Sequence, residues 1–342
     1  MPFKFALLLS AISIMVFFII FPSLAVSSSY GYLSLWAKNI VPSVLPFIIC
    51  INILLSLNTP SHKRKPADFF CIALFGLPSD VLYTSLISIV SGYPMGAKTA
   101  SSLYQKGRIN SDELQRLLSF VNVPSPVFSV CALGVSLLGS ASYGRLIFIS
   151  CLLSSLTNAL FFRLYSTPKP CFATPLTSKP TSMDIMADSL TSVLKIGAYI
   201  MFFGIISDIL SFIPMLKILS YFTEITSASA KISTLVLTIR QKCTLLAFML
   251  SSGGICMQIQ IFSFLKDLPV NKTVYFASQF IKSALSASLC FFLFPLAETA
   301  PTSTAYTTFA HSFYNNLNIP IFFITIPVAI LLLLLGIKKR QV

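Results

Sequence analysis

The sequence has few charged side chains and almost no histidine. Asp, Glu, Lys and Arg together make up 10% of its 342 residues, and histidine occurs twice. In soluble globular domains about a quarter of the residues are charged, so this composition excludes an ordinary soluble protein. General acid–base catalysis relies mainly on His, Asp and Glu, and neither an HExxH nor a GxSxG pattern occurs. We therefore do not expect an enzyme.

Cysteine pairs at metal-ligand or redox spacing are also missing. The eight cysteines are scattered, mostly through apolar runs, and none forms a CxxC pair. Free cysteine behaves as a small buried apolar residue. A disulfide framework and a zinc site are not indicated, and we expect no metal ion and no cofactor.

Long apolar runs are what the sequence has instead. Hydrophobic residues make up 55% of the chain, and its mean hydropathy is +0.84. A membrane-spanning helix needs about 20 predominantly apolar residues. Two segments, Phe69–Val90 and Ile232–Leu250, fit either a full span or one arm of a re-entrant hairpin. Further spans are predicted at Phe3–Phe21, Tyr32–Leu57, Leu117–Leu138, Arg145–Leu164, Val193–Met215, Tyr275–Leu296 and Pro320–Ile337.

The basic residues gather at the ends of these runs. The formal net charge is +14, and His62–Lys65 and Lys338–Arg340 are two of the basic groups. This distribution is typical of the cytoplasmic loops of membrane proteins and favours contact with anionic lipid headgroups. Basic patches interleaved with aromatic residues on a polar face are missing. We therefore expect the lipid bilayer, and no nucleic acid, as a partner.

The chain divides into four regions. Residues 1–25 form an apolar segment that begins near Lys4 and predicts an N-terminal transmembrane helix rather than a cleaved signal peptide, because the run is long and further spans follow it. Residues 166–184 contain several prolines and little apolar periodicity, which indicates a polar linker. The linker separates a first gate repeat, residues 30–165, from a second gate repeat, residues 191–338.

Glycine-rich interruptions occur in both repeats, around Gly92 and around Gly253, which lie 161 positions apart. The same offset aligns Tyr32–Ile53 with Val193–Pro214. In a bilayer, broken backbone is tolerated only where it is buried in protein or lines a polar cavity, and inverted repeats place two broken helices near the midplane of many transporters. The sequence thus predicts an all-α polytopic membrane protein, an inverted repeat of transmembrane helices with two broken or re-entrant gate hairpins.

Polar side chains at these interruptions indicate a substrate pathway. A helix that begins after a break exposes N–H groups that attract anions, and Lys98 adds a positive charge. We expect a small anionic substrate, with Lys98 neutralising a carboxylate while Asn122 and Gln258 donate hydrogen bonds. Alternatively, Lys98 reaches the lipid interface, and Asn122 and Ser125 only kink a span. The candidate substrate-binding residues are Ser91, Gly92, Tyr93, Lys98, Asn122, Ser125, Ser252, Gly253, Gly254 and Gln258.

Several of these motifs resemble a known family, the sporulation integral membrane proteins of the YlbJ/SpoVV type. The similar segments are Ser91–Lys98 (SGYPMGAK), Leu103–Ile109 (LYQKGRI), Leu117–Asn122, Glu224–Thr226 and Ser252–Gln260. The similarity runs over most of the chain, about residues 30–300. The resemblance places the chain in the wider group of proteins with nucleoside-recognition gate domains.

The resemblance implies an endospore-forming bacterium and a role in spore formation. It implies movement of dipicolinic acid, a small aromatic dianion, from the mother cell toward the forespore through the outer forespore membrane. Val123–Pro126 departs from the family, which has a second asparagine after the position of Asn122, so the contacts of this loop stay open. A nucleoside transporter and a non-transporting membrane scaffold are the alternatives. Expected partners are a second copy of the chain or other sporulation membrane proteins.

Overall fold

The computed structural model describes residues 2–57, 71, 75–78, 81, 82, 85, 89, 91–163 and 182–298. These residues are helical or connect helices, and no strand occurs among them. The predicted span at Pro320–Ile337 lies outside the described residues, and only scattered positions of Phe69–Val90 are described. Within the described part, the prediction of an all-α polytopic membrane protein is confirmed.

The first half of the described chain, residues 2–163, contains six α-helices and two π-helical stretches. Residues 2–25 are helical except at Phe21, where the first helix ends, and the prediction of a transmembrane helix over residues 1–25 stays a prediction. The helices are α1 (Pro2–Ile20), α2 (Pro22–Leu35), α3 (Val41–Leu57), α4 (Met95–Gln105), α5 (Ser111–Phe120) and α6 (Ala141–Arg163), with π-helical stretches at Trp36–Ile40 and Phe128–Leu137.

The second half of the described chain, residues 182–298, contains six further α-helices and one short 3₁₀ turn at Pro214–Leu216. Its first helix begins at Ser182, so the last positions of the predicted linker 166–184 are helical. The helices are α7 (Ser182–Phe212), α8 (Lys217–Thr223), α9 (Ile225–Ser233), α10 (Ile239–Ser252), α11 (Gly254–Phe264) and α12 (Lys272–Glu298).

Four described segments are long and apolar enough to cross a membrane: Ala141–Arg163, Asp184–Phe212, Ile239–Phe264 and Lys272–Glu298. The third of these overlaps the predicted segment Ile232–Leu250, for which a full span and an arm of a re-entrant hairpin both stay predictions. Within the predicted segment, helix α9 ends at Ser233. The candidate span comprises α10 and α11, with the break at Gly253 between them.

The prediction of one continuous helical span at Leu117–Leu138 is wrong. Helix α5 ends at Phe120, residues 122–125 have no regular secondary structure, and helical structure resumes only at Pro126. Proline lacks the N–H that a helix interior needs and disfavours helix in the residue before it. Pro124 and Pro126 therefore prevent the helix from continuing across this segment.

The two predicted breaks share one backbone conformation. Gly92 and Gly253 both have φ of +83°, a left-handed value that residues with a Cβ rarely adopt. At Gly92 an added Cβ would also lie 2.7 Å from the backbone nitrogen of Ser125. Glycine is thus required at residue 92 both by its φ and by the close approach of the loop after α5.

The helices that correspond by the 161-residue offset pack against one another. Helix α4 contacts α11, and the pair α2–α3 contacts α7. Tyr32 Oη donates to Asp208 Oδ1 at 3.1 Å, and Asn52 Nδ2 donates to Ser189 Oγ at 2.8 Å. As residue numbers rise along α2–α3 they fall along α7, so the two segments run antiparallel. Inverted repeats produce this relation, while the repeat boundaries at 30–165 and 191–338 stay a prediction.

Alanine substitutions at three glycines separate the effect of the left-handed φ at Gly92 from the effect of its close contact with Ser125. Gly31 lies in α2, and a Cβ added there would meet open space, so Gly31→Ala should leave the unfolding temperature in detergent unchanged or slightly raised. Gly107→Ala, with φ of +64° and open space, should cost about 1–2 kcal/mol from backbone strain. Gly92→Ala should be the least stable because it adds the contact with Ser125. Equal unfolding temperatures for the variants at 92 and 107 would contradict this packing.

Candidate functional site

A cavity of about 330 Å³ lies where the two halves of the chain meet. Its polar lining comes from the first break, the loop after α5, the N-terminus of α9 and the two π-helical stretches, and most of the remaining lining is apolar. The side chains that line it are Leu35, Lys38, Ile40, Val44, Ser91, Tyr93, Ser125, Val127, Phe128, Cys131, Ala132, Ser136, Ile196, Ile200, Glu224, Ile225, Thr226 and Met257. We call this the central cavity.

On the first-half side, the central cavity contains two buried hydroxyl groups. Ser91 Oγ and Tyr93 Oη have no hydrogen-bond partner within the described part of the chain. The backbone N–H of Tyr93 donates to Val123 O at 2.9 Å, which fixes the break against the loop after α5. A buried hydroxyl without a partner is costly, and both of these residues line the central cavity.

On the second-half side, the cavity contains the carboxyl group of Glu224. This residue is 4% exposed. Its Oε1 accepts from the N–H of Thr226 at 2.9 Å, and its Oε2 accepts from the N–H of Ser227 at 2.7 Å, so Glu224 caps α9. Glu224 lies outside the four candidate spans. Burial raises the pKa of its carboxyl group, and the two N–H donors oppose that shift.

Behind the cavity, the end of α5 is buried and needs hydrogen-bond donors. The last carbonyl groups of a helix have no partner within the helix. Lys282 Nζ, from α12, donates to Asn122 O at 2.7 Å and to Gln279 Oε1 at 2.6 Å. Gln279 Nε2 in turn donates to Leu118 O at 3.3 Å. A cation at a helix C-terminus also complements the helix dipole.

Helix α6 supplies the remaining donors to the end of α5. Asn158 Nδ2 donates to Ser119 O at 2.9 Å, and the hydroxyl of Ser155 donates to Phe120 O. Both donor side chains are fully buried. Two helices distant in sequence therefore hold the break after α5 in place.

The second break lies beside a larger and more open cavity of about 1160 Å³. Gln258 Nε2 donates to Ser252 O at 2.5 Å, and Tyr275 Oη donates to Gln258 Oε1 at 2.8 Å. The Tyr275 hydroxyl also lies beside the amide of Asn122. This larger cavity is lined by Ser252, Gly254 and Gln258, several aromatic residues, and Lys266 and Lys272.

The structure separates the ten predicted site residues into three groups. Ser91, Tyr93 and Ser125 line the central cavity, whereas Ser252, Gly254 and Gln258 line the larger one. The other four line neither of these cavities: Gly92 and Gly253 form the breaks, Asn122 connects α5 to Lys282, and Lys98 pairs with Asp188.

Lys98 is engaged in contacts within the protein. Its Nζ lies 2.6 Å from Asp188 Oδ2 and donates to Ser192 Oγ at 2.8 Å, both on α7. Its carboxylate partner is therefore a side chain of the same chain, and a role as a substrate ligand stays a prediction.

The sequence analysis missed Glu224 and Lys282 as functional candidates. Glu224 was visible only as part of a motif, and its place in the cavity depends on α9 folding back beside the first break. Lys282 is a single lysine in the apolar run Tyr275–Leu296. This position could have identified Lys282 as a candidate, because an ionisable side chain inside a membrane span costs free energy and needs a partner.

Removal of the Lys282 ammonium group should destabilise the protein. Lys282→Met leaves Asn122 O buried without its donor, which costs about 1–3 kcal/mol. The matched control is Lys195→Met, since Lys195 is exposed on α7. We expect a lower unfolding temperature in detergent for the variant at 282 and little change for the variant at 195. A wild-type unfolding temperature for Lys282→Met would show that the carbonyl end of α5 does not depend on this lysine.

Comparison with known proteins identifies a relative. The sporulation integral membrane protein YlbJ of Bacillus subtilis (strain 168) is 24% identical over 325 aligned residues, which cover 82% of this chain and 80% of the relative. No family model matches the chain, and no solved structure matches it, so the wider gate-domain group stays a prediction. Together with the apolar helices, the similarity to this relative confirms the predicted resemblance: the chain is an integral membrane protein related to sporulation proteins of the YlbJ type.

Proposed function

We propose that this protein carries a small anionic metabolite, dipicolinic acid, across a membrane during sporulation. The observation that supports transport most directly is the central cavity, which is lined by Ser91 and Tyr93 at the first break and by Glu224 at the N-terminus of α9. Transporters built from repeats bind their substrates at such junctions of broken helices. The volume of about 330 Å³ is near the lower end of the range for small-molecule sites, which suits a compact solute.

The positive groups around both cavities support an anion as the solute. The exposed Lys38 lines the central cavity. The larger cavity combines Lys266 and Lys272, which outnumber its one described acidic lining residue, Asp267, with the first residue of α11, Gly254, whose helix end attracts negative charge. Phe262 and Phe276 also line it, and such rings suit contact with an aromatic solute.

A neutral nucleoside is the second candidate, and Glu224 is the observation that favours it. A carboxylate in the cavity accepts hydrogen bonds from hydroxyl groups, which a sugar supplies. Competition separates the two solutes. Uptake of labelled dipicolinate that is blocked by unlabelled dipicolinate and unaffected by uridine supports the anion, and the reverse pattern supports the nucleoside.

We further propose that transport runs from the mother cell toward the forespore, with the protein in the outer forespore membrane. The name of the relative supports a role in sporulation. No enzymatic step is part of the proposal. Other sporulation membrane proteins or a second copy of this chain are the proposed partners.

The first test is the dipicolinate content of spores from a deletion strain, compared with the pool in the mother cell. We expect spores low in dipicolinate and retention of dipicolinate in the mother cell, because the transport step is missing. Normally filled spores would contradict the proposal and favour either the nucleoside or a scaffold without transport.

Removal of a single hydroxyl group tests whether the central cavity binds the substrate. Tyr93→Phe removes a hydroxyl without a partner in the described structure, so the protein should fold normally. One hydrogen bond to the substrate contributes about 1 kcal/mol, so we expect uptake of labelled dipicolinate to fall roughly fivefold to tenfold. Tyr30→Phe, at an exposed position of α2, is the matched control. Equal uptake by both variants at equal abundance would remove Tyr93 from the pathway.

A further inference from the structure

The central cavity holds one acidic residue, Glu224, among its described lining residues. A structural role at the end of α9 accounts for the hydrogen bonds that its oxygens accept. It does not account for the position of this carboxyl group on the wall of a cavity that we propose for an anion. Two negative charges in one cavity repel each other, and the repulsion is stronger for a buried carboxyl group than for one in water.

The groups that face Glu224 come from several helices, and most are neutral. Tyr32 of α2, Tyr93 at the first break and Cys256 of α11 interact with its charge. Among the described residues, the cation that interacts with the Glu224 charge is Lys231 of α9.

The charge of Lys231 is shared with other groups, so it does not neutralise Glu224 alone. Its ammonium group donates to Ser207 Oγ at 2.8 Å and to Ser211 Oγ at 2.6 Å, and it also interacts with Asp208. Lys38 lines the same cavity but is exposed. An anion in the cavity therefore meets a carboxyl group that is only partly compensated.

We propose that Glu224 binds a proton when the anion occupies the central cavity, so that each anion is carried together with one proton. This inference rests on the proposed function. The proton comes from the medium on the side where the anion enters, resides on a carboxyl oxygen of Glu224, and is released with the anion on the other side. Proton and anion share one cavity, and the repulsion between the two negative charges couples their movements.

The N-terminus of α9 has a second attachment to the protein, so we expect a variant of Glu224 without the negative charge to fold. Ser227 Oγ lies 3.0 Å from Ser207 Oγ, which attaches the first turn of α9 to α7 independently of the carboxyl group. Glu224→Gln keeps one acceptor oxygen for the N-terminus of α9 and resembles the protonated acid in shape. This variant should fold, and should bind the anion without taking up a proton.

The experiment uses the purified full chain in lipid vesicles with labelled dipicolinate and the membrane potential held at zero. With the external medium more acidic than the lumen, wild-type vesicles should accumulate dipicolinate about tenfold per pH unit, since one pH unit is a tenfold ratio of proton activity. A pH-sensitive dye in the lumen should report acidification during uptake. Vesicles without protein give the background.

Glu224→Gln should equilibrate dipicolinate across the membrane without accumulation and without acidifying the lumen. Asp112→Asn removes an exposed carboxyl group at the start of α5 and should behave as wild type. A folded Glu224→Gln protein that accumulates dipicolinate as wild type does would overturn the inference. So would wild-type uptake without proton movement, or a folded variant that neither accumulates nor exchanges dipicolinate, which would assign Glu224 to substrate binding.

The proposed function fails in a different way. If wild-type vesicles take up no dipicolinate with or without a proton gradient, the proposed function is overturned, and the inference falls with it. If wild-type uptake exceeds the background but does not respond to the gradient, only the coupling through Glu224 is wrong.

Discussion

The buried carbonyl end of α5 is the constraint on which the central part of this structure depends. A helix that stops inside a membrane protein leaves carbonyl groups that no water can satisfy. The ammonium group of Lys282 and the amides of Gln279 and Asn158 supply the missing donors. These donors come from α12 and α6, so the break can exist only when three separate parts of the chain are assembled.

The break after α5 in turn shapes the cavity. The loop after α5 brings Ser125 against Gly92, and Ser91, Tyr93 and Ser125 line the cavity together. Glu224 closes the opposite side as the cap of that helix. The functional groups of the cavity thus lie at places where helices end, because helix ends expose polar groups that a continuous transmembrane helix would keep internal.

Much of the fold follows from one-dimensional signals. The apolar runs predict α6 and α12 closely, and the C-terminal part of α7, since length and hydropathy set a membrane span. The cap at Asn110, with Glu113 three residues later, predicts the start of α5 and forms a capping box in the structure. Two elements were not predictable in this way. The apolar run Leu117–Leu138 hid a break, and the polar groups around Glu224 belong to a helix too short to give a periodic signal.

The sequence by itself determined the class of the protein, its long helices and the positions of both glycine breaks, because composition, span length and left-handed glycine conformations are local properties. Only the tertiary structure decided which polar groups meet. It paired Lys98 with Asp188 outside the two cavities, placed Lys282 at the end of α5, and brought Glu224 into the cavity with Tyr93. These partners are more than 80 residues apart in each case, and contacts at that separation depend on how the helices pack, which no local pattern encodes.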